Sequence, residues 1–245
     1  MLKNIKLTIS YDGNAYHGWA RQKDAISIQE VIENALERLF DQKIHICGTS
    51  RTDAGVHALG QVANMVIDTP IPIENMKKAI NPLLPNDIAI VDVEQMKLNF
   101  DPIGAPIGKH YRYTIYTGDE KPVFDFRTVW HYPYGLDVSN MSAAAERMVG
   151  TKDFKSFASA KDYRTDSIRT ITRCEVSRKN DWITIDVEGN RFMYNMVRNM
   201  VGTLVEVGRG RWMPEIIDDI IAAKDRRQAG LLAPPNGLCL MKIFY

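Results

Sequence analysis

The chain has 245 residues, 45% of them hydrophobic and 25% charged, with a formal net charge of +1. That is the make-up of a soluble globular protein with room for one large or two modest domains, and not of a generally basic one. No apolar run approaches the roughly 20 residues that span a bilayer, and the first residues lead into an alternating pattern rather than a secretory leader. Three cysteines lie far apart (Cys47, Cys174, Cys239). They argue against a disulfide framework or zinc ribbon, and the expected compartment is a reducing cytoplasm.

The first predicted element is a half-buried strand in which Ile5, Leu7, Ile9 and Tyr11 alternate with Lys6, Thr8 and Ser10. It stops at the turn signal Tyr11-Asp12-Gly13-Asn14. Ser27 and Glu30 have capping-box spacing and open a helix whose Ile28, Val31, Ile32, Ala35, Leu36, Leu39 and Phe40 recur at helical period. Strands over Ile44–Cys47 and Gln61–Ile67 are expected to bracket a polar loop, Gly48–His57. A helix over Ile73–Ile80 ends at Asn81-Pro82. Strands follow at Ile88–Val93 and His110–Tyr116, with Tyr111, Tyr113 and Ile115 sharing a face of the second.

Further along, a helix is predicted over Asp137–Val149, stopping at Gly150. Ile168–Val176 and Trp182–Glu188 pair across a Lys179-Asn180-Asp181 turn. The stretch Arg191–Val207 reads as a helix with Met193, Met196, Val197, Met200, Val201 and Leu204 on one stripe. Its other side then gathers Arg191, Asn195, Arg198 and Gly202 into a polar strip. Pro214 opens a last helix, and Leu238–Tyr245 alternates as a closing strand. The rhythm of strands and amphipathic helices repeats, so the expected class is α+β. Two related halves, 1–105 and 106–245, are expected to share a mainly antiparallel sheet with helices on its outer side. Charge divides between them: residues 1–105 carry 10 Lys/Arg against 13 Asp/Glu, and residues 106–245 carry 21 against 17. The basic excess, which includes Arg164, Arg191 and Arg198, can form a local phosphate-binding surface despite a total near zero.

Several kinds of chemistry are disfavoured. The five histidines never stand at i,i+3 or i,i+4 and HExxH is absent, which argues against a metal site. There is no Walker A sequence, and Gly208-Arg209-Gly210 lacks the rest of a dinucleotide fingerprint. What stands out is Thr49-Ser50-Arg51-Thr52-Asp53-Ala54-Gly55-Val56-His57-Ala58, polar and placed between two expected strands. Loops held by a rigid scaffold often carry catalytic carboxylates, and Arg51 is placed to hold either the Asp53 carboxylate or a phosphate. By itself the segment reads more readily as a simple Asp-Ala-Gly turn between strands.

Arg51–Ala58 resembles the signature loop of the TruA family of tRNA pseudouridine synthases, and the resemblance continues along the chain. Tyr11-Asp12-Gly13, Tyr16-His17-Gly18-Trp19, Ser27-Ile28-Gln29-Glu30, Leu84-Pro85-Asn86-Asp87-Ile88-Ala89 and Tyr111-Arg112-Tyr113 are similar to its motifs. So are Asp153-Phe154, Ser156-Phe157, Met196-Val197-Arg198-Asn199-Met200-Val201-Gly202, Ala223-Lys224-Asp225-Arg226 and Gly237-Leu238, all in order. The resemblance implies the pseudouridine synthase fold and makes Asp53 the essential carboxylate. It places Tyr111 under the target base and pairs Arg198 with Asp53 across a cleft between the halves. Arg51, Thr52, His57, Arg191 and Asn195 are the accompanying substrate-binding candidates.

The implied reaction isomerises uridine to pseudouridine at positions 38, 39 and 40 of the tRNA anticodon stem-loop. It needs no cofactor and no metal, and the implied partners are tRNA and a second copy of the chain in a homodimer, with no membrane. Three positions depart from the family pattern: Ser50 stands for a glycine, Ala20 for a glutamine, and Ile103 for an arginine in Phe100-Asp101-Pro102-Ile103-Gly104-Ala105-Pro106. A catalytically silent tRNA-binding or chaperone protein of the same fold is the alternative. A carboxylate glycosidase is a second one, although such enzymes commonly use two flanking carboxylates and Asp53 has no convincing acidic partner.

Overall fold

The structure, a computed structural model, describes residues 1–162 and 164–245. The chain forms two compact units, Met1–Ile107 with Leu240–Tyr245, and Gly108–Cys239. The halves read from the sequence ended at 105 and 245, whereas the last six residues lie with the first unit. The reason is local. The Tyr245 hydroxyl lies 2.9 Å from Thr49 Oγ1, its ring is 5.4 Å from that of Phe100, and the Ile107 amide donates to the Phe244 carbonyl.

In the first unit, strand β1 (Leu2–Tyr11) is central. It pairs antiparallel with β3 (His57–Asp68) on one side and β4 (Ile88–Met96) on the other. A short β2 (Cys47–Gly48) pairs antiparallel with β3. The alternation of β1 is reproduced, with Ile5, Leu7 and Ile9 fully buried; each such side chain contributes on the order of 1.5–3 kcal/mol. Helix α1 (Ile28–Phe40) starts where the capping residue predicts, since Ser27 Oγ accepts from the Glu30 amide. It buries Ile28, Ile32, Ala35 and Leu36. Helix α2 (Ile73–Ile80) packs on β4. The strand expected at Ile44–Cys47 shrinks to β2, because only Cys47 and Gly48 find ladder partners, Asn64 and Ala63.

In the second unit, β5 (Gly108–Tyr116) pairs antiparallel with β9 (Trp182–Gly189), which pairs with β8 (Ile168–Lys179) and that with β7 (Gly150–Asp153). A two-residue β6 (Trp130–His131) runs parallel to β5. Strands β6 and β7 are too short to carry a periodic signal. The β8–β9 hairpin closes with Asn180 at φ 55°, a conformation that asparagine tolerates in tight turns. Helix α3 (Val138–Glu146) is capped by Asp137; α4 (Met196–Gly208) and α5 (Ile216–Ala223) follow. The α+β class is as expected: mainly antiparallel strands with amphipathic helices.

One expectation is corrected. The helix predicted from Arg191 begins at Met196, because Asn195 has φ 61° and ψ 8° and breaks the helical path. Residues 190–195 are irregular, held by Asn190 Oδ1, which accepts from the amides of Thr170 and Arg191. Arg191 is therefore not on α4, and the polar strip joining it to Arg198 does not exist.

Candidate active site

The Thr49–Ala58 segment leads from β2 into the first two residues of β3 in the first unit, and its backbone is fixed from two directions. From β3, the Gln61 carboxamide donates to the Ser50 carbonyl at 2.6 Å and accepts from the Ser50 amide at 3.3 Å. From the end of β1, the Tyr11 hydroxyl lies 2.7 Å from Thr52 Oγ1, and from the segment after it the Trp19 amide donates to the Thr52 carbonyl at 3.0 Å. That approach requires Gly18, which has φ +93° and leaves only 2.6 Å between a would-be Cβ and the Thr52 carbonyl oxygen. No L side chain fits such a position without strain.

Two further bonds close the loop. The Gly55 amide donates to the Tyr16 carbonyl and the Val56 amide to that of Asp53. His57 Nδ1 accepts from the Gly13 amide at 3.2 Å and lies the same distance from Asp12 Oδ1. The loop's polar residues thereby separate into two sets. Ser50, Thr52 and His57 are buried, at 5%, 7% and 5% exposure, while Arg51 is exposed and Asp53 partly so. Of the site candidates on this loop, Arg51 is exposed and Asp53 partly exposed; Thr52 and His57 bond inward to the chain.

In the second unit, Tyr111 lies on β5, and its ring meets that of Phe192 edge-on, with centroids 5.1 Å apart. Tyr113, two residues on and on the same face, is fully buried and donates to the Pro234 carbonyl. On the opposite face, His110 and Arg112 both bond to Asp186. The thirteen-residue α4 buries every side chain except that of Arg198. The Arg198 guanidinium donates to the Ala233 carbonyl at 2.8 Å and to Asn195 Oδ1 at 3.2 Å. The structure thus brings Asn195 and Arg198 together, and leaves Arg191 exposed on the irregular segment before them.

Lys109, also on β5, is a basic residue that sequence reasoning missed. Burial, with the guanidiniums of Arg191 and Arg164 nearby, holds its ammonium down at about 8 against an ordinary 10.5. Arg164 is itself bonded through two nitrogens to Asp162, and that bond keeps the Asp162 carboxyl well below the usual range. Phe192 was passed over as well; its aromatic character was visible, but its place against Tyr111 depends on the break at Asn195. Gln61 carried a usable signal, a long polar side chain in an otherwise apolar run of β3. Among the described residues no group of three or more His, Cys, Asp or Glu could hold a metal ion, and no helix is long and apolar enough to cross a membrane.

Comparison with known proteins gives a consistent answer. The model of a family described as tRNA pseudouridine synthase matches residues 7–103 and 144–245. The chain is 43% identical over 244 residues to the tRNA pseudouridine synthase A of Clostridium kluyveri, with 100% of both chains covered. It is 42% identical over the same span to a tRNA pseudouridine synthase A 2 of Clostridium perfringens, and 39% identical to the tRNA pseudouridine synthase A of a Thermoanaerobacter species, again with 100% of both chains covered.

Proposed function

This chain belongs to the tRNA pseudouridine synthase family, and from that membership we propose that it modifies uridines 38, 39 and 40 of the anticodon stem-loop with Asp53 as its catalytic carboxylate. The reaction of the family is an isomerisation. The C1′–N1 bond of uridine breaks, the uracil turns, and C5 joins C1′; C5 gives up a proton and N1 gains one, so substrate and product contain the same atoms. The uridine must first leave its stack at a cost of a few kcal/mol, which basic contacts to the RNA backbone offset.

The observation that carries the assignment is the sorting of side chains on the Thr49–Ala58 loop. Asp53 is the only carboxylate of that loop and stays partly exposed, between the buried Thr52 and the exposed Ala54, on backbone pinned from two sides. In the second unit, Tyr111 is the aromatic that stacks on the base, an interaction worth on the order of 1–3 kcal/mol, with Phe192 fixing its ring. Arg198, the one side chain that α4 leaves unburied, supplies a fixed positive charge, with Asn195 orienting it. Arg191 and Arg51, both exposed, contact phosphates. Thr52 and His57 serve through the loop's shape. The reading extends to a homodimer whose subunits cradle one tRNA, acting in the cytoplasm.

The test is incubation with an unmodified tRNA transcript, without metal or nucleotide, followed by chemical mapping of pseudouridine. Wild type should modify positions 38–40. Asp53→Asn should lose activity by about a thousandfold or more while its Kd for tRNA stays within about twofold. Wild-type turnover by Asp53→Asn removes the carboxylate from the mechanism. Binding without any pseudouridine on a broad tRNA pool supports a silent tRNA-binding protein instead.

A further inference from the structure

The stretch 50–53 alternates as extended chain does: Ser50 in, Arg51 out, Thr52 in, Asp53 partly out. In such a segment the aim of an outward residue is set by whatever holds its inward neighbours. The inward neighbours here are held by two side chains to which no role has been given. Gln61 is wholly buried, and its carboxamide brackets the Ser50 peptide as a neighbouring strand would, bonding both carbonyl and amide. The same Oε1 accepts from the Val62 amide at 3.1 Å, and the same Nε2 lies 3.5 Å from the Tyr11 hydroxyl. Tyr11, 4% exposed, then passes the restraint to the Thr52 hydroxyl at 2.7 Å. Tyr11 stands at the end of β1, just past the point where the β1–β3 register shifts between Ile9 and Tyr11. Its ring packs near Trp19, 6.1 Å between centroids, so the phenol cannot easily swing away.

We propose that Tyr11 and Gln61 are positioning residues for the reaction, forming with Thr52 and the Ser50 peptide a buried hydrogen-bond relay that aims the Asp53 carboxylate. The proposal rests on the reading of Asp53 as the catalytic group. It also gives Thr52 a role that needs no contact with RNA: its hydroxyl engages Tyr11, inside the protein. Small misplacements of a reacting group lower rates steeply, about a hundredfold for an ångström, and binding of a large polyanion does not depend on one loop's fine geometry.

The experiment compares Tyr11→Phe, Thr52→Val, Thr52→Ser, the double variant Tyr11→Phe/Thr52→Val, and Asp53→Asn, assayed well below each melting temperature. Tyr11→Phe keeps the ring against Trp19 and loses only the hydroxyl. It and Thr52→Val should each lower kcat about ten- to hundredfold, with KM and tRNA Kd within about twofold. Thr52→Ser, which keeps the oxygen, should restore most of the rate. Because both single changes delete the same bond, the double variant should be no slower than the worse single one. Ile32→Val, in the buried face of α1, serves as a stability-matched control and should keep wild-type kcat. Wild-type kcat in Tyr11→Phe and Thr52→Val beside a dead Asp53→Asn overturns the proposal alone. So does a loss in Ile32→Val equal to theirs, since the effect would then follow stability. Full turnover by Asp53→Asn overturns the reading beneath it.

Discussion

In the first unit the Asp53 loop is irregular backbone held almost wholly by hydrogen bonds, whereas in the second Tyr111 and Arg198 stand on a strand and a helix held by apolar burial. The loop has Gln61 bonding to it at Ser50, Tyr11 and Trp19 at Thr52, and Tyr16 at Gly55. Helix α4 has twelve buried residues around one that is not. A carboxylate on the loop can be aimed by small adjustments at several polar contacts. A guanidinium on α4 has its origin fixed by the rigid helix and only its own fork to adjust, at Ala233 and Asn195. Polar fixing is sensitive in rate, and apolar fixing is sensitive in stability.

That contrast can be broken most forcefully by damaging each unit in its own terms. Leu204→Ala empties a fully buried site in α4 and should cost about 2–5 kcal/mol, with kcat per folded molecule unchanged. Gly18→Ala forces a Cβ toward the Thr52 carbonyl at a backbone φ of +93°. It should cost less stability, about 1–3 kcal/mol, and lower kcat as well. Denaturation curves paired with single-turnover rates separate the two. If Leu204→Ala slows the folded enzyme as much as Gly18→Ala does, the distinction between the units fails.

Next in size is Arg198→Lys, which keeps the charge and loses the planar fork that engages Ala233 and Asn195. The expected loss in kcat is about ten- to hundredfold, with a stability change below about 1 kcal/mol, read from steady-state kinetics and thermal melts. An unchanged kcat would mean that a positive charge at this point of α4 is enough, however it is oriented.

The same contrast explains what was legible in the sequence. The regular elements were read closely: β1 by its alternation, α1 by Ser27 and its 3.6-residue period, and α2 to the residue. The loop was visible because Arg51-Thr52-Asp53 is polar between apolar runs. Tyr111 and Arg198 carry no comparable signal, since a tyrosine on a strand and an arginine on a polar helix strip are ordinary, and only the family resemblance gave them roles. Periodicity misled at Arg191–Asn195, where Met193 and Met196 continue the apolar stripe although Asn195 leaves the helical region. Burial of Thr52 and His57 was not legible either, because their partners Tyr11 and Gly13 lie some forty residues away in sequence. Short β6 and β7 fall below the length at which alternation means anything.

A smaller effect concerns the basic residues of the second unit. Lys109 is held at about 8 by burial and by Arg191 and Arg164; Asp162 is tied to Arg164. For the protein alone the sign is fixed: between about pH 8 and 10.5 the unfolded chain keeps a proton that the folded one has lost, so this group adds stability as pH rises. A phosphate beside these cations favours the protonated lysine, so tRNA binding should take up a proton near pH 8. Its affinity should then fall roughly fivefold between about pH 7.5 and 9. Lys109→Arg, charged throughout, should flatten that profile. A profile as steep in Lys109→Arg as in wild type would place the titrating group elsewhere.

The smallest expected effect tests a part of the first unit that neither mode of fixing governs. Ile103 is 60% exposed in a turn whose main restraint at that residue is the Asp101 carboxylate accepting from its amide at 2.8 Å. An exposed branched apolar residue there contributes little packing. Ile103→Arg should leave stability within about 0.5 kcal/mol. If the turn faces the RNA backbone, the added guanidinium makes about one phosphate contact and steepens the slope of log affinity against log salt by about 0.7–0.9. Affinity at low salt should rise about two- to fivefold, and kcat should not change, since the Asp53 loop is held by other contacts. An unaltered salt slope would show that the turn at Phe100–Pro106 lies off the RNA path. A changed pattern of modified positions without a changed slope would instead make the turn a determinant of which uridine is presented.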